Sequence, residues 1–274
     1  MSDAEQWQLH GNAAELYERH LVPAITSLWA ADLVERAAPH AGQRVLDLAC
    51  GTGIVARIAA ARMCEGRIVG VDINPAMLAV ARSLSTDARL KIEWEEGSAL
   101  ALPFSDDSFD LIFCQLGLQF FPDKRMALHE MRRVLTGDGR LALSVFTSIG
   151  RTPASNALAD ALDRHLGAGA SKTKRSEHVL SDAGALRGLV TEAGFRNVEM
   201  TTVTQMISFP SAGEYVRLQL SATPLSSLLD GMGSELRLAT VDRITGDLIA
   251  SLQLASEKTE LRYPQEAYVL LAIK

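Results

Sequence analysis

A glycine-rich turn near residue 50 has the residue types of a nucleotide-binding loop. Residues 51–56, Gly-Thr-Gly-Ile-Val-Ala, match the pattern G-x-G-x-x-G/A, and Asp72 follows 19 residues after Gly53. Glycines let the backbone approach a ligand closely, and the amides at a helix start bind its polar groups. A carboxylate at position 72 can accept hydrogen bonds from both hydroxyls of an adenosine ribose. These residues therefore predict a site for an adenosine-containing cofactor, either NAD or S-adenosylmethionine (SAM).

The charge of Asp47 favours SAM over NAD. Asp47 lies four residues before Gly51, near the end of a short apolar run. It would repel the pyrophosphate of a dinucleotide, whereas it would attract the ammonium and sulfonium groups of SAM. The turn also contains no Lys or Arg to neutralise a phosphate. Asp47 is expected to bind SAM directly or through water; the alternative is that it only caps amides of the turn.

The order of apolar runs predicts the elements that carry these residues. Short runs typical of strands alternate with helical stretches of about 10–15 residues, a pattern typical of parallel sheets built from βαβ units. We therefore expect an α/β fold with a doubly wound, mostly parallel, Rossmann-like sheet, in which ligands bind beyond the carboxyl ends of the strands. The predicted strands are residues 44–49, 67–71, 90–94, 109–114, 140–146, 197–209 and 261–273. Asn74 followed by Pro75 predicts the start of a helix that continues to Leu84, and Pro122 opens a predicted helix that ends at Leu135.

The chain divides into four predicted parts. Residues 1–40 are expected to form helices that cover the site, and residues 41–209 the SAM-binding core. Residues 210–260 are leucine-rich and mostly helical in pattern, which suggests a lid over an apolar acceptor site, inserted before the last strand at 261–274. Residues 167–177 are rich in Gly, Ala, Ser and Lys and are predicted to form a mobile loop.

Composition limits the class of partner. The chain has 274 residues with 27 Lys and Arg against 33 Asp and Glu, a net charge of −6 that disfavours nucleic acid and anionic membranes. No apolar stretch approaches the ~18 residues of a membrane span, and the acidic start lacks the apolar core of a signal peptide. The three cysteines do not have metal-ligand spacing. We expect a cytoplasmic protein that acts on a small molecule, without a metal, and make no prediction of its oligomeric state.

The motifs taken together resemble those of the class I SAM-dependent methyltransferases. The chain is most similar to the small-molecule branch that includes the ubiquinone/menaquinone C-methyltransferases (methyltransferase type 11 domain). The resemblance implies the class I methyltransferase fold and transfer of a methyl group from SAM to a small, partly apolar metabolite, with S-adenosylhomocysteine (SAH) as product. It covers about residues 40–147, and its motifs are residues 45–53, Asp72, residues 96–99 with 102–104, residues 109–112, 119–123 and 130–135.

The resemblance also implies which residues hold the cofactor. Gly51 and Gly53 would pack against the methionine part of SAM, and Asp72 would hold the ribose. Ser98 stands where many relatives carry an Asp that accepts from the adenine amino group, and Ser is a weaker acceptor. The remaining implied contacts are Tyr17 folded over SAM, Ile73 and Met77 against adenine or ribose, Ser98 and Ala99 at the adenine edge, and Gln115, with Gln119 nearby, at the amino-acid end.

No residue is identified as a catalytic base. His178, which precedes a helix expected at the mouth of the site, and Tyr17 are the candidates. Displacement from a sulfonium has a good leaving group, so positioning the nucleophile and excluding water can supply much of the acceleration. A base is needed only where the nucleophile must lose a proton. A SAM-binding protein without turnover and an NAD-dependent oxidoreductase are the alternatives, and the sequence leaves O-, N- and C-methylation open.

Overall fold

A seven-stranded sheet forms the centre of the computed structural model, which describes residues 12–84 and 92–274. The strands are β1 (Arg44–Leu48), β2 (Arg67–Asp72), β3 (Ile92–Glu96), β4 (Phe109–Gln115), β5 (Leu135–Phe146), β6 (Arg196–Phe209) and β7 (Leu261–Ile273). Their order is β3-β2-β1-β4-β5-β7-β6. The first five strands pair in parallel, and β7 runs antiparallel between β5 and β6. This confirms the predicted doubly wound, mostly parallel α/β fold.

Helices join the strands and pack on the sheet. They are α1 (Ala13–Leu16), α2 (Ser27–Ala37), α3 (Ile54–Met63), α4 (Pro75–Leu84), α5 (Lys124–Val134), α6 (Pro153–Leu166), α7 (Lys172–Ser176), α8 (Ala183–Glu192), α9 (Ala212–Gln219) and α10 (Ser234–Ser251). A π-helical segment, Tyr17–Thr26, connects α1 to α2. The predicted helical content of residues 1–11 and the predicted strand start at Leu90 lie outside the described residues. Among the helices that are described, none has the length and hydropathy needed to cross a membrane.

The central strands are apolar on both faces because helices cover both sides of the sheet. Leu46 and Ile112 are fully buried in a cluster with α5, whereas Val45 and Phe113 are fully buried on the other face against α2 and α3. Alternate residues of one strand thus enter opposite cores. This double burial fixes the carboxyl ends of β1 and β4; the glycine-rich turn follows β1, and Gln115 ends β4.

Two helix starts show how local side chains set the boundaries. Asn74 caps α4: its Oδ1 accepts hydrogen bonds from the amides of Ala76 and Met77 at 2.9 and 3.3 Å, with Pro75 as the first helical residue. This agrees with the predicted cap. Helix α5 begins at Lys124, two residues later than predicted, because Asp123 provides the cap and Pro122 precedes it.

The structure corrects the prediction for residues 167–177. The second half of that segment is helix α7 and not a mobile loop. The Asp163 carboxylate accepts hydrogen bonds from the amides of Gly169 and Ser171 and from the Ser171 hydroxyl, at 2.7–3.1 Å, and so holds the connection to α6. Composition alone does not reveal this capping. Helix α6 was not predicted, and β5 begins at Leu135 instead of residue 140.

The segment between β6 and β7 is helical, as predicted. Apolar side chains of α9 and α10 pack against α6 and against the ends of β6 and β7; examples are Tyr215, Ile244 and Leu248. This packing buries most of the apolar side chains that suggested a lid. The role of the segment as a lid remains a prediction.

Candidate functional site

A cavity of about 370 Å³ lies at the carboxyl ends of β1, β2 and β4. The strand order reverses between β1 and β4, so the cavity lies at the switch point where ligands bind in such sheets. Its walls include the loops after these strands, the π-helical segment, and residues of α6, α7 and α9. The fold thus brings both halves of the chain to one cavity.

Asp72 connects the end of β2 to the glycine-rich turn. Its Oδ2 accepts a hydrogen bond from the Gly51 amide at 2.7 Å, and its Oδ1 accepts one from the Asn74 amide at 2.8 Å. Gly51 has a φ of +54°, a left-handed conformation that favours glycine. Burial raises the pKa of Asp72, while these amide donors oppose the increase. Both Asp72 and Gly51 line the cavity, and their contacts with SAM remain predictions.

Asp47 also lines the cavity, and its side chain is only 1% exposed. Its Oδ2 accepts a hydrogen bond from the Ala56 amide at 3.0 Å, so the capping role considered as an alternative is present. Burial raises the pKa of Asp47 to about 7, and the charge of Asp72 adds to this increase. A cationic ligand group beside Asp47 would favour its ionised form.

Gly53, the second glycine of the turn, does not line the cavity. A Cβ on Gly53 would lie 2.1 Å from Cη2 of Trp94, and one on Gly70 would lie 2.3 Å from Cζ3 of the same indole. Gly53 therefore allows Trp94 to pack behind the turn, and it takes a φ of +85° at the start of α3. Its contact with SAM remains a prediction.

Tyr17 enters the cavity from the π-helical segment. Four residues of this segment line the cavity: Tyr17, Leu21, Ile25 and Thr26. The first three are spaced four residues apart, so they share one side of the segment. Burial raises the pKa of Tyr17 to about 12, and the charges of Asp72 and Glu177 add to the increase. The phenol is therefore protonated at neutral pH.

An ion pair attaches the π-helical segment to the glycine-rich turn. Glu18 lies 2.8 Å from an Arg57 guanidinium nitrogen, and both side chains are largely buried. Arg57 also donates a hydrogen bond to the carbonyl oxygen of Thr52. The ion pair of the neighbouring residue, Glu18, thus holds Tyr17 over the cavity.

The residues predicted at the adenine and ribose lie together along one side of the cavity: Ile73, Met77, Ser98 and Ala99. Ile73 is 43% exposed. The Ser98 hydroxyl oxygen accepts from the Leu100 amide at 3.2 Å, so its proton can serve a ligand.

Two glutamines, one at the end of β4 and one shortly after it, present unsatisfied polar groups to the cavity. Gln115 donates from Nε2 to the Thr26 carbonyl oxygen at 3.0 Å, but its Oε1 is buried without a partner in the described structure. Gln119 is 3% exposed, and neither its amide oxygen nor its amide nitrogen has a partner there. A buried polar group without a partner costs roughly 1–3 kcal/mol. These amides are placed to bind a polar ligand.

His178 does not line the cavity. It is 5% exposed, its Nδ1 donates to the Thr147 carbonyl oxygen at 2.6 Å, and its ring stacks on Phe146, which does line the cavity. Burial lowers the pKa of His178, so the imidazole is neutral at pH 7. The structure therefore separates this candidate base from the cavity by an aromatic ring.

Sequence reasoning missed a buried ion pair on another part of the cavity wall. Lys174 is 4% exposed, and its Nζ lies 2.9 and 3.2 Å from the two carboxylate oxygens of Glu177 and 2.9 Å from Oε1 of Gln219. All three residues line the cavity. Glu177 raises the pKa of Lys174 against the effect of burial. Lys and Glu three residues apart are typical of a helix, but the composition of residues 167–177 led to the prediction of a loop.

The charges of the wall fit SAM better than NAD. Within the described residues, the lining carries three carboxyl groups, on Asp47, Asp72 and Glu177, and one cationic side chain, Lys174, which is already paired. A pyrophosphate would meet no available cation. The ammonium of SAM would find acceptors in Asp47 and in the unsatisfied Oε1 of Gln115.

Comparisons with known proteins agree with this geometry. Residues 45–139 match the family model described as "Methyltransferase domain". The chain is 41% identical over 132 residues, 48% of its own length, to the demethylmenaquinone methyltransferase of Deinococcus radiodurans, and the match spans only about half (55%) of that relative. It is 34% identical over 194 residues to the ubiquinone/menaquinone biosynthesis C-methyltransferase UbiE of Klebsiella pneumoniae, over 66% of this chain and 77% of that one.

A solved structure extends the likeness in fold to most of the chain. The YcgJ protein of Bacillus subtilis superposes with a TM-score of 0.59, covering 89% of this chain and 97% of that protein. The sequence identity is 21%, so this likeness concerns the fold alone.

Proposed function

Since the chain belongs to the class I SAM-dependent methyltransferases, we propose that it transfers a methyl group from SAM to a small, partly apolar acceptor. The cavity at the switch point supports this proposal, because it offers carboxylates and amides to a cationic cofactor and continues into an apolar part. Leu21, Ile25, Phe146, Ala222 and Pro224 line that part.

Each cofactor contact that we propose uses a side chain already in the cavity wall. Asp72 would accept the ribose hydroxyls, and its bond to Gly51 would keep the turn in place beneath them. Asp47 and Gln115 would hold the ammonium. Bound SAM supplies an electrophilic methyl group on a sulfonium.

Positioning, rather than proton transfer, is the proposed contribution of this chain to the reaction. Tyr17 keeps its proton at neutral pH, and His178 lies behind Phe146. Tyr17, Leu21 and Ile25 cover the cavity, and their contribution would be to exclude water and restrict the acceptor. The proposal therefore includes no general base.

The relatives' names suggest which acceptors to test first. Two curated relatives are named demethylmenaquinone methyltransferase. A hydroxylated bicyclic aromatic compound such as 1,4-naphthohydroquinone has an apolar body that suits the apolar residues of the cavity wall.

The observation that carries the proposal is the placement of Asp72, which both anchors the glycine-rich turn and lines the cavity. The test is incubation with SAM bearing a CD₃ group and a panel of hydroxylated aromatics that includes 1,4-naphthohydroquinone. Mass spectrometry should detect SAH and a product carrying CD₃, and D72A should form much less of both at the same SAM concentration. Binding of SAH without transfer to any acceptor would favour a SAM-binding protein without turnover, and binding of NADH would favour an oxidoreductase.

The proposal also includes the compartment in which the protein acts and the class of its partner. Cys50, Cys64 and Cys114 form no disulfide in the described structure, in line with a reducing compartment such as the cytoplasm. The net charge of −6 supports a small-molecule partner over nucleic acid or an anionic membrane.

A further inference from the structure

We infer that Lys174, Glu177 and Gln219, hereafter the polar cluster, bind an uncharged hydroxyl group of the acceptor and select against acceptors with a carboxylate or phosphate at that position. The inference rests on the proposed function, because it assigns the part of the cavity outside the cofactor contacts to the acceptor. It adds a substrate class and three specificity-determining residues.

The polar cluster is assembled from separate elements. Lys174 lies on α7, Glu177 directly follows that helix, and Gln219 ends α9. The Lys174 ammonium has three protons, and its three short contacts, at 2.9, 3.2 and 2.9 Å, are to the two Glu177 oxygens and Oε1 of Gln219. Its donors are therefore already engaged by the protein.

This pairing determines which charges the polar cluster accepts. The charge of Lys174 is neutralised by Glu177, so an added carboxylate or phosphate would find no second cation among the described lining residues. Burial of an unpaired charge is strongly unfavourable. An added ammonium would compete with Lys174 for Glu177. A neutral ligand group avoids both penalties.

The hydrogen-bonding capacity that remains fits a hydroxyl group. A carboxylate offers about four acceptor positions, and Lys174 occupies two of those on Glu177. The side-chain oxygen of Gln219 accepts from Lys174, and the amide nitrogen of the same side chain carries two N–H donors. A hydroxyl both donates and accepts, so it can donate to Glu177 and accept from Gln219 at the same time.

Tyr17 links the polar cluster to the cofactor end of the cavity. The negative charges of Asp72 and Glu177 both act on the Tyr17 phenol, so this side chain lies within electrostatic reach of each carboxylate. An acceptor whose hydroxyl is held by the polar cluster would extend along the apolar wall past Tyr17. Its reacting atom would then face the predicted cofactor position.

The test compares four probes with the same naphthalene body: 2-naphthol, 2-methylnaphthalene, 2-naphthoate and 2-(aminomethyl)naphthalene. Their affinities are measured by calorimetry on protein saturated with SAH. We expect 2-naphthol to bind about tenfold or more tightly than 2-methylnaphthalene, because hydrogen bonds to charged groups are among the stronger ones. The naphthoate should bind most weakly.

The variant K174M/E177Q removes both charges together and leaves no unpaired ion. It should abolish the preference for 2-naphthol while leaving the affinity for SAH unchanged. K172M, an exposed lysine of the same helix, is the matched control and should keep the preference. If the double variant fails to fold, Q219L removes the amide donor without breaking the ion pair and should also reduce the preference.

The outcomes separate this inference from the proposed function. Failure of the wild-type protein to bind SAH would contradict the proposed function. With SAH bound, the inference alone would be overturned by equal affinities for the four probes, by no binding of 2-naphthol, or by tightest binding of the naphthoate or the amine. Retention of the preference in both K174M/E177Q and Q219L would also overturn it.

Discussion

The backbone amide of Gly51 donates a hydrogen bond to the carboxylate of Asp72 over 2.7 Å. This bond joins the turn after β1 to the carboxyl end of β2. The same carboxylate accepts from the amide of Asn74, the residue that caps α4. The Asp72 side chain therefore orients the turn and the start of α4, and it also presents a hydrogen-bond acceptor to the cavity.

Replacement of Asp72 by Ala should weaken SAH binding by about ten- to a hundredfold. The variant loses hydrogen bonds to a charged group, worth about 1.5–3 kcal/mol, and releases the turn at Gly51. Calorimetric titration measures the change. D138A removes an exposed carboxylate outside the cavity and should bind SAH as the wild type does; equal losses in both variants would argue against a specific role for Asp72.

The affinity for SAM should increase as the pH rises, and this increase should depend on Asp47. Its pKa is about 7 without ligand, and the cationic groups of SAM favour the ionised carboxylate. If SAM binds only that form, the affinity should rise about tenfold between pH 6 and pH 8, as the ionised fraction grows. Calorimetry across this range should show the rise in the wild type and a flat profile in D47N. An equal rise in D47N would place the titrating group elsewhere.

Asp47 should also lower the stability of the ligand-free protein at high pH. The folded state keeps a proton on Asp47 up to about pH 7, whereas the unfolded state loses it near the ordinary value of 3.8. Stability from this group therefore falls as pH rises through that window, by about 1.4 kcal/mol for each pKa unit at most. Denaturant unfolding should show D47N to be more stable than the wild type at pH 8, with the difference shrinking toward pH 4. A constant difference at all pH values would contradict the raised pKa.

Gly70 should tolerate no side chain. A Cβ there would lie 2.3 Å from the Trp94 ring, so G70A must displace the indole that packs behind the glycine-rich turn. We expect a loss of roughly 1–3 kcal/mol in the free energy of unfolding. G246A is the matched control: this exposed glycine lies in α10 with open space around it, and alanine there should stabilise by about 0.4–1 kcal/mol. Similar effects of the two variants would show that the indole moves freely.

The parts of the fold predicted correctly from sequence are those governed by local pattern. The apolar runs of β1, β2 and β4 are buried on both faces, so the positions of these strands were predictable from the sequence. Asn74 with Pro75 signalled the start of α4 for the same reason. Asp47 and Asp72 were found because Asp47 lies near the end of the first such run and Asp72 ends the second.

The features that were missed depend on contacts between distant residues. Lys174 is buried where Gln219, 45 positions later in the sequence, contacts it, and no local sequence pattern predicts that contact. The position of Gly53 against Trp94 and of His178 behind Phe146 likewise follows from packing across elements. Motif analysis found the residues that we propose for the cofactor, whereas the polar cluster that we propose for the acceptor required the three-dimensional structure.

The most direct test of the central claim is calorimetric titration of the wild-type protein with SAH, with NADH as the control ligand under the same conditions. Among the described residues, the lining carries three carboxyl groups and one lysine that is already paired, which predicts micromolar binding of SAH and no binding of NADH. Binding of NADH, or no binding of SAH, would contradict the assignment of this cavity to SAM.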